Sequence, residues 1–248
     1  MANGKTVMVV GAAGDICSEV CRRLESDGYK LILIDRDEVR LNRLLNTLDS
    51  DRVTPVIADA GATEPADGGI ADAVDQHRPE VLINGVGGDT KVLRIEDLTA
   101  SYVAEKINEN LITTFNVTKL CVPHMKAKRY GRIVNFASAG GRTYSHFNNA
   151  AYVAAKAAVI GFTKQIAYEL APFDIVANVV AHGPMLTSRI ESAWERRPEE
   201  QRKDVLNRIP LRRMGTLDEA VGSVMYLASP SAGFTTGSVM DINGGLYM

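Results

Sequence analysis

The chain has 248 residues, 46% of them hydrophobic and 23% charged, which is enough apolar material for one sizeable core. A formal net charge of -2 gives no electrostatic reason to expect nucleic acid or an anionic membrane as partner, and no apolar run reaches the length of about 18 residues that a membrane span needs. Three cysteines, Cys17, Cys21 and Cys121, are an odd and sparse set that argues for a reducing, cytoplasmic setting over a disulfide framework.

The N-terminal stretch runs straight into the strand-like VMVVGAAG, with no basic region or cleavage site of a signal peptide. From there the sequence alternates short β-branched runs with helical patterns. Strand-like runs are TVMVV near residue 6, KLILID near 30, RVTPVIA near 52, EVLIN near 80, GRIVNFA near 131, DIVANVV near 174 and SVMDI near 238. Between them lie SEVCRRLESDG, EVRLNRLLNTL, GIADAVDQH, a long helix from about 100 to 126, AAYVAAKAAVIGFTKQIAYEL and LDEAVGSVMYLAS. Continuous apolar runs mark buried parallel strands, and the alternation implies an α/β, doubly wound sheet of about seven strands in a single domain over residues 1–248. No repeat, low-complexity tract or linker interrupts it. The region from about 183 to 213 is expected to be irregular, and its charged stretch at about 185–212 is read as a lid over a substrate.

Three places carry chemistry. The first turn brings Gly11 and Gly14 to the start of a helix, whose free amide groups suit a diphosphate. Asp35 closes the second strand, where a carboxylate can grip the two ribose hydroxyls of NAD and repel the 2′-phosphate of NADP; Arg36 keeps NADP open as the less favoured cofactor. Asp35 can also be a cap for the following helix. Asp59, at the end of the third strand, is placed to meet adenine.

In the third place, Tyr152 and Lys156 share one helical face, fourteen residues after Ser138 on the preceding strand. A tyrosine ordinarily titrates near pH ~10, and lowering it by two or three units takes roughly 3 to 4 kcal/mol, within reach of one ammonium in a partly buried site. Such a tyrosinate can take a proton from an alcohol. Tyr102 and Lys106 repeat the spacing but follow no serine-bearing strand, so they read as ordinary packing. Cys17 and Cys21 lie one turn apart with no His or further Cys to complete a metal site, and packing is their expected role; no metal is expected.

Together these residues resemble the short-chain dehydrogenase/reductase family in its single-domain form. The glycine turn, Asp35, Asp59, LINGVGG, ENL, RIVNFASAGG, YVAAK, VAHGPMLTS and the ending IPLRRMGTLDEAVGSVMYLAS through TTGSVMDINGG all take part. The resemblance implies hydride exchange between a nicotinamide cofactor and a secondary alcohol or ketone. In it Tyr152 is the general acid/base, Lys156 lowers the tyrosine and binds the ribose, Ser138 holds the reacting oxygen, and Asn110 holds a water linking Lys156 to solvent. It implies cofactor contacts from Gly11, Gly14, Asp15, Ile16, Asp35, Asp59, Ala60, Asn84, Gly85, Tyr152, Lys156, Gly183, Met185 and Thr187. Thr187 alternatively caps the next helix. Substrate contacts are expected from Ser138, Tyr144, His146 and Asn149, and a homotetramer from helices near 100–126 and 150–172. Arg189, Arg196 and Arg197 in the lid can favour an anionic substrate or simply form an exposed charged face.

Three departures from the family pattern stand out. The turn VGAAGDIC has Val10 for threonine, Asp15 for the second glycine and Cys17 for the third; Asp15 is expected to cap the helix. The family's NNAG is Asn84-Gly85-Val86-Gly87, and its Pro-Gly is His182-Gly183, with His182 a structural substitution. The favoured reading is an NAD-dependent dehydrogenase or carbonyl reductase. An NADPH-dependent 3-oxoacyl reductase of the same fold and a catalytically silent nucleotide sensor or scaffold are the alternatives.

Overall fold

In this computed structural model the described residues are 4–62, 69–88 and 91–248, with the side chains of residues 189, 192 and 193 outside the description. The seven apolar runs form seven strands: β1 (Thr6–Val10), β2 (Lys30–Asp35), β3 (Val53–Ile57), β4 (Val81–Asn84), β5 (Gly131–Ser138), β6 (Ile175–His182) and β7 (Val239–Ile242). All pairings are parallel, in the order β3-β2-β1-β4-β5-β6-β7. The chain winds outward from β1 in one direction and from β4 in the other, which leaves a crevice beyond the carboxyl ends of these two neighbours.

Strand alternation sends neighbouring side chains to opposite faces. Val7 and Val9 of β1 join one core with α1 (Asp15–Ser26), α2 (Glu38–Leu45) and α9 (Leu217–Ala228), through Val20, Leu24, Leu41, Val221 and Val224. Met8 and Val10 join the other with α3 (Ile70–His77), α5 (Thr113–Lys128) and α6 (Ala150–Leu170), through Val74, Val117, Met125 and Leu170. Each such side chain contributes about 1.5–3 kcal/mol when fully buried. Cys17, Cys21 and Cys121 are all buried thiols within these cores.

Two stretches differ from the sequence expectation. The helix expected from about 100 to 126 is α4 (Ala100–Ile107), a π-helical turn at Asn108–Ile112, and then α5. In the π turn Thr113 N–H reaches back five residues to the Asn108 carbonyl, a shift that hydrophobic periodicity does not announce. The region expected to be irregular contains α7 (Ser188–Glu195) and α8 (Glu199–Arg208). The charged run of α8 is a solvated helical face, with Val205 its buried residue and i,i+4 pairs Glu199–Lys203 and Asp204–Arg208 outside.

Candidate active site

A cleft of about 390 Å³ lies over the carboxyl ends of β1, β2 and β4. Of the residues expected to hold a cofactor, Gly11, Gly14, Asp15, Ile16, Asp35, Asp59, Ala60, Gly85 and Thr187 line it. Gly11 has φ +72°, a left-handed backbone, and a Cβ there would meet the Gly85 carbonyl at 3.0 Å. The first helical bond of α1 runs from Ser18 N–H to the Gly14 carbonyl, so the preceding amides of Ile16 and Cys17 take no helical partner.

Asp35 is held rigidly. Its Oδ2 accepts from Ala13 N–H at 2.9 Å and its Oδ1 from Asp37 N–H at 3.0 Å. The cap of α2 is Asp37, not Asp35: Asp37 accepts from Arg40 N–H. Asp15 likewise does not cap α1, whose N-cap is Gly14 without a side-chain bond. The Asp15 carboxylate instead reaches Arg40 on α2 at 3.3 Å and accepts from the Ser188 hydroxyl at 2.9 Å. Arg36 turns to Glu109 at 3.1 Å and Asp59 at 3.5 Å. Asp59 also accepts from Gly61 N–H, which fixes the turn after β3. Arg36, Arg40 and Glu109 all line the cleft; only Arg36 was visible as a cleft residue in the sequence, because the others lie on helical turns whose phase decides which way they face.

Five expected cofactor residues lie outside this lining: Tyr152 and Lys156, described below, and Asn84, Gly183 and Met185. Asn84 is 1% exposed and donates to Asn135 Oδ1 at 2.8 Å across the β4–β5 register and to Thr118, so it ties the sheet to α5. Gly183 sits against Asn243, where a Cβ would fall within 2.8 Å of the backbone. Met185 is buried and forms an isolated bridge with Gly215. Thr187 takes the N-cap position of α7, but its hydroxyl makes no cap bond.

The residues expected to transfer a proton lie next to the cleft lining. Lys156, 2% exposed, donates from Nζ to the Val86 and Phe136 carbonyls at 3.0 and 2.9 Å, and both of those residues line the cleft. Burial pulls its ammonium down to about 7. Its Nζ lies 5.8 Å from the centre of the Tyr152 ring. The turn after β5 lies hard against α6: a Cβ at Gly141 would come within 2.8 Å of the Lys156 carbonyl carbon, and one at Gly140 would touch both Ser138 Oγ and Val153. The close approach at Gly141 seats the turn that follows Ser138 against the Lys156 turn of α6. Asn110, in the π turn, is 1% exposed; its Nδ2 donates to the Lys106 carbonyl, while its buried Oδ1 has no partner. Gly87, with φ +84°, has no room for a Cβ because Asn110 Oδ1 fills that space.

Asn149, expected on the substrate side, is held within the fold. It is 2% exposed, and its Oδ1 caps α6 by accepting from Tyr152 N–H at 3.0 Å. Its Nδ2 donates to the Lys91 carbonyl and to Tyr102 Oη. Tyr102 thus supports the catalytic candidate through Asn149, while Lys106 pairs with Glu105 and Glu109. Tyr144 is 70% exposed and meets His146 edge-on at 5.1 Å. His146 faces Arg208 across a second hollow, which Arg197 also lines. Arg197 lies 5.9 Å from the Trp194 ring, and the Arg189 side chain lies outside the described residues. His182 stands edge-on to Phe136 at 5.2 Å, and burial pulls it down to about 4, so it is a neutral packing residue at neutral pH.

Residues 11–247 match a family model described as enoyl-(acyl carrier protein) reductase. The chain is 37% identical to an acetoacetyl-CoA reductase of Acinetobacter sp. (strain RA3849), over the full length of both. It is 33% identical to a 3-oxoacyl-[acyl-carrier-protein] reductase of Thermotoga maritima, covering 99% of this chain and 98% of that one. Among solved structures, a 3-oxoacyl-[acyl-carrier protein] reductase with bound NAD from Brucella melitensis superposes with a TM-score of 0.87 at 26% identity, covering 100% of this chain and 93% of that one. The chain belongs to the short-chain dehydrogenase/reductase family and is an oxidoreductase of the kind that acts on C=O and CH–OH groups.

Proposed function

We propose that this member of the family is an NAD(H)-dependent reductase that converts the 3-oxo group of an acyl thioester to the 3-hydroxyl, and the reverse. One observation carries the cofactor half: Asp35 is fixed at the ribose end of the cleft by two backbone N–H groups, while the two nearby cations, Arg36 and Arg40, are each committed to carboxylates. A ribose diol finds an acceptor there, and a 2′-phosphate meets negative charge. The names of the two sequence relatives support the thioester, and the relative with bound NAD supports the cofactor.

The described residues fit such a dinucleotide. Gly11 and Gly85 place no side chain on the cleft floor, the α1 amides would take the diphosphate, and Asp35 would hold the ribose. When bound, the nicotinamide supplies or accepts the hydride. The chain's own work is positional and protonic. The Ser138 hydroxyl donates to the reacting oxygen, and Tyr152 Oη gives its proton to that oxygen in reduction and takes it back in oxidation. Lys156, pulled to about 7 and held on two carbonyls, releases and regains a proton near neutrality, which suits it to recharge Tyr152. Asn110, with its unpartnered Oδ1, would hold the water that joins Lys156 to solvent. The segment 185–212 would close over the acyl chain, with Tyr144 and His146 on its inner side.

The family model's description favours a second reading, reduction of a carbon–carbon double bond. That reaction delivers its proton to carbon, whereas the hydroxyl roles given to Ser138 and Tyr152 suit an oxygen. The test is a product-resolved assay with acetoacetyl-CoA and with crotonyl-CoA, each with NADH and NADPH. NADH-dependent formation of 3-hydroxybutyryl-CoA is expected. Turnover of crotonyl-CoA alone would overturn the 3-oxo assignment, and turnover with NADPH alone would overturn the cofactor assignment.

A further inference from the structure

We infer that Asp15 sets the cofactor's charge preference by withholding Arg40 from a ribose phosphate. The inference rests on the NAD(H) reading above. Arg40 lies in the first turn of α2, directly after the cap whose backbone N–H holds Asp35, and it lines the same cleft. Asp15 lies two residues beyond Ala13, whose N–H holds the other oxygen of Asp35. Asp35, Asp15 and Arg40 therefore close on one corner, from the strand end, the glycine turn and the second helix.

A phosphate on the ribose hydroxyl beside Asp35 needs a cation within reach, and a guanidinium is the group best shaped to take it. Two guanidiniums line this corner. Arg36 is shared between Glu109 and Asp59, so no single substitution frees it. Arg40 has Asp15 as its ion-pair partner, at 3.3 Å. Where the family pattern has a glycine, this chain places a carboxylate that is only 18% exposed and is steadied from its other oxygen by the Ser188 hydroxyl. The geometry suits a mask: the anion is fixed at two points, and the cation it covers is half-exposed.

The same carboxylate stands close to where a diphosphate would bind, and its charge would weaken NADH and NADPH alike. The two cofactors share the diphosphate, so a ratio of affinities cancels that effect and isolates the ribose phosphate. The test is therefore a titration of NADH and NADPH, by nicotinamide fluorescence, into the wild type, Asp15→Asn and the double variant Asp15→Asn/Arg40→Gln. Asparagine keeps the side-chain volume and an oxygen for Ser188, and it removes the charge. In Asp15→Asn the NADPH-to-NADH affinity ratio is expected to rise about tenfold, the scale of one charge-assisted contact, and to fall back in the double variant.

A ratio that moves less than about twofold in Asp15→Asn, or that stays raised in the double variant, overturns the inference while leaving the NAD(H) reading intact. A wild type that binds neither dinucleotide overturns both. NADH binding by each variant reports that it is folded, and rising salt should erode the raised NADPH-to-NADH ratio of Asp15→Asn.

Discussion

Cys17 Sγ fills the space that a Cβ on residue 85 would need, so the two cleft-lining residues fit together only with a glycine at 85. In the sequence they look like separate departures, one in the glycine turn and one after β4. In the fold they are a single steric exchange: the sulfur of a residue on α1 rests against the bare backbone just past the end of β4. Cys17 is 2% exposed, and burial pushes its thiol up to about 12, so it acts as a small apolar plug.

Gly85→Ala should therefore cost about 1–3 kcal/mol of stability, the usual price of overpacking. Cys17→Ala in the same chain should recover most of that loss, because it removes the sulfur that clashes. Denaturant unfolding of both single variants and the double variant checks this. Simple addition of the two single effects would show that the sites are not coupled.

Tyr152→Phe should lower turnover about a hundred- to ten-thousand-fold, the range for one proton-transferring group, while NADH still binds. Stopped turnover with unchanged fluorescence titration is the expected pair of results. Turnover at the wild-type rate would remove Tyr152 from the chemistry.

Asn149 gives a sharper test of positioning. Asn149→Ala removes the cap on Tyr152 N–H and should cost about 1 kcal/mol of stability, with kcat falling and KM for the acyl thioester little changed. Asn149→Asp keeps the cap acceptor but loses the amide that reaches Lys91 and Tyr102, and should recover the stability in part. A change confined to KM would restore Asn149 to the substrate side.

His182 predicts a pH dependence of stability. Its folded value, about 4, lies below its ordinary value of 6.5, so the unfolded chain binds a proton that the folded chain resists. The stability linked to His182 is thus fully present above about 6.5 and is lost as pH falls through the window to about 4. His182→Phe keeps an aromatic edge against Phe136 and should flatten this part of the curve, as followed by melting temperature between pH 4 and 7. Parallel curves for the two proteins would show that acid destabilisation arises elsewhere.

Much of this architecture was legible in the sequence because it is written in period. Short, β-branched continuous runs such as VMVV and LILI between turn residues read as buried strands, and their alternation with helices points to the parallel winding. Asp35 was legible because a strand end is a definite place. The partners of Asn84 and Asn149 were not legible, for the opposite reason. Each belongs to a buried hydrogen-bond network, Asn84 with Asn135 and Thr118, Asn149 with Tyr102 and Lys91, and its partners are 34 to 58 residues away. The capping of α2 was off by two residues because Asp35 and Asp37 are equally good caps by type, and only backbone geometry separates them.

The π turn at Asn108–Ile112 makes the chain sensitive to length at a point inside a helix. It carries one residue more than a regular turn, and one residue is worth about 100° of rotation. Upstream, α4 packs on α6; downstream, α5 packs on the sheet and α3. Both halves are phased by that extra residue. Deleting any one residue from the turn would leave a perfectly good helix, yet it would swing either the face bearing Tyr102 and Lys106 or the face bearing Thr114, Val117 and Cys121 out of its seat. Substitutions in this turn alter one contact at a time, whereas a one-residue gap shifts every contact on one side of it.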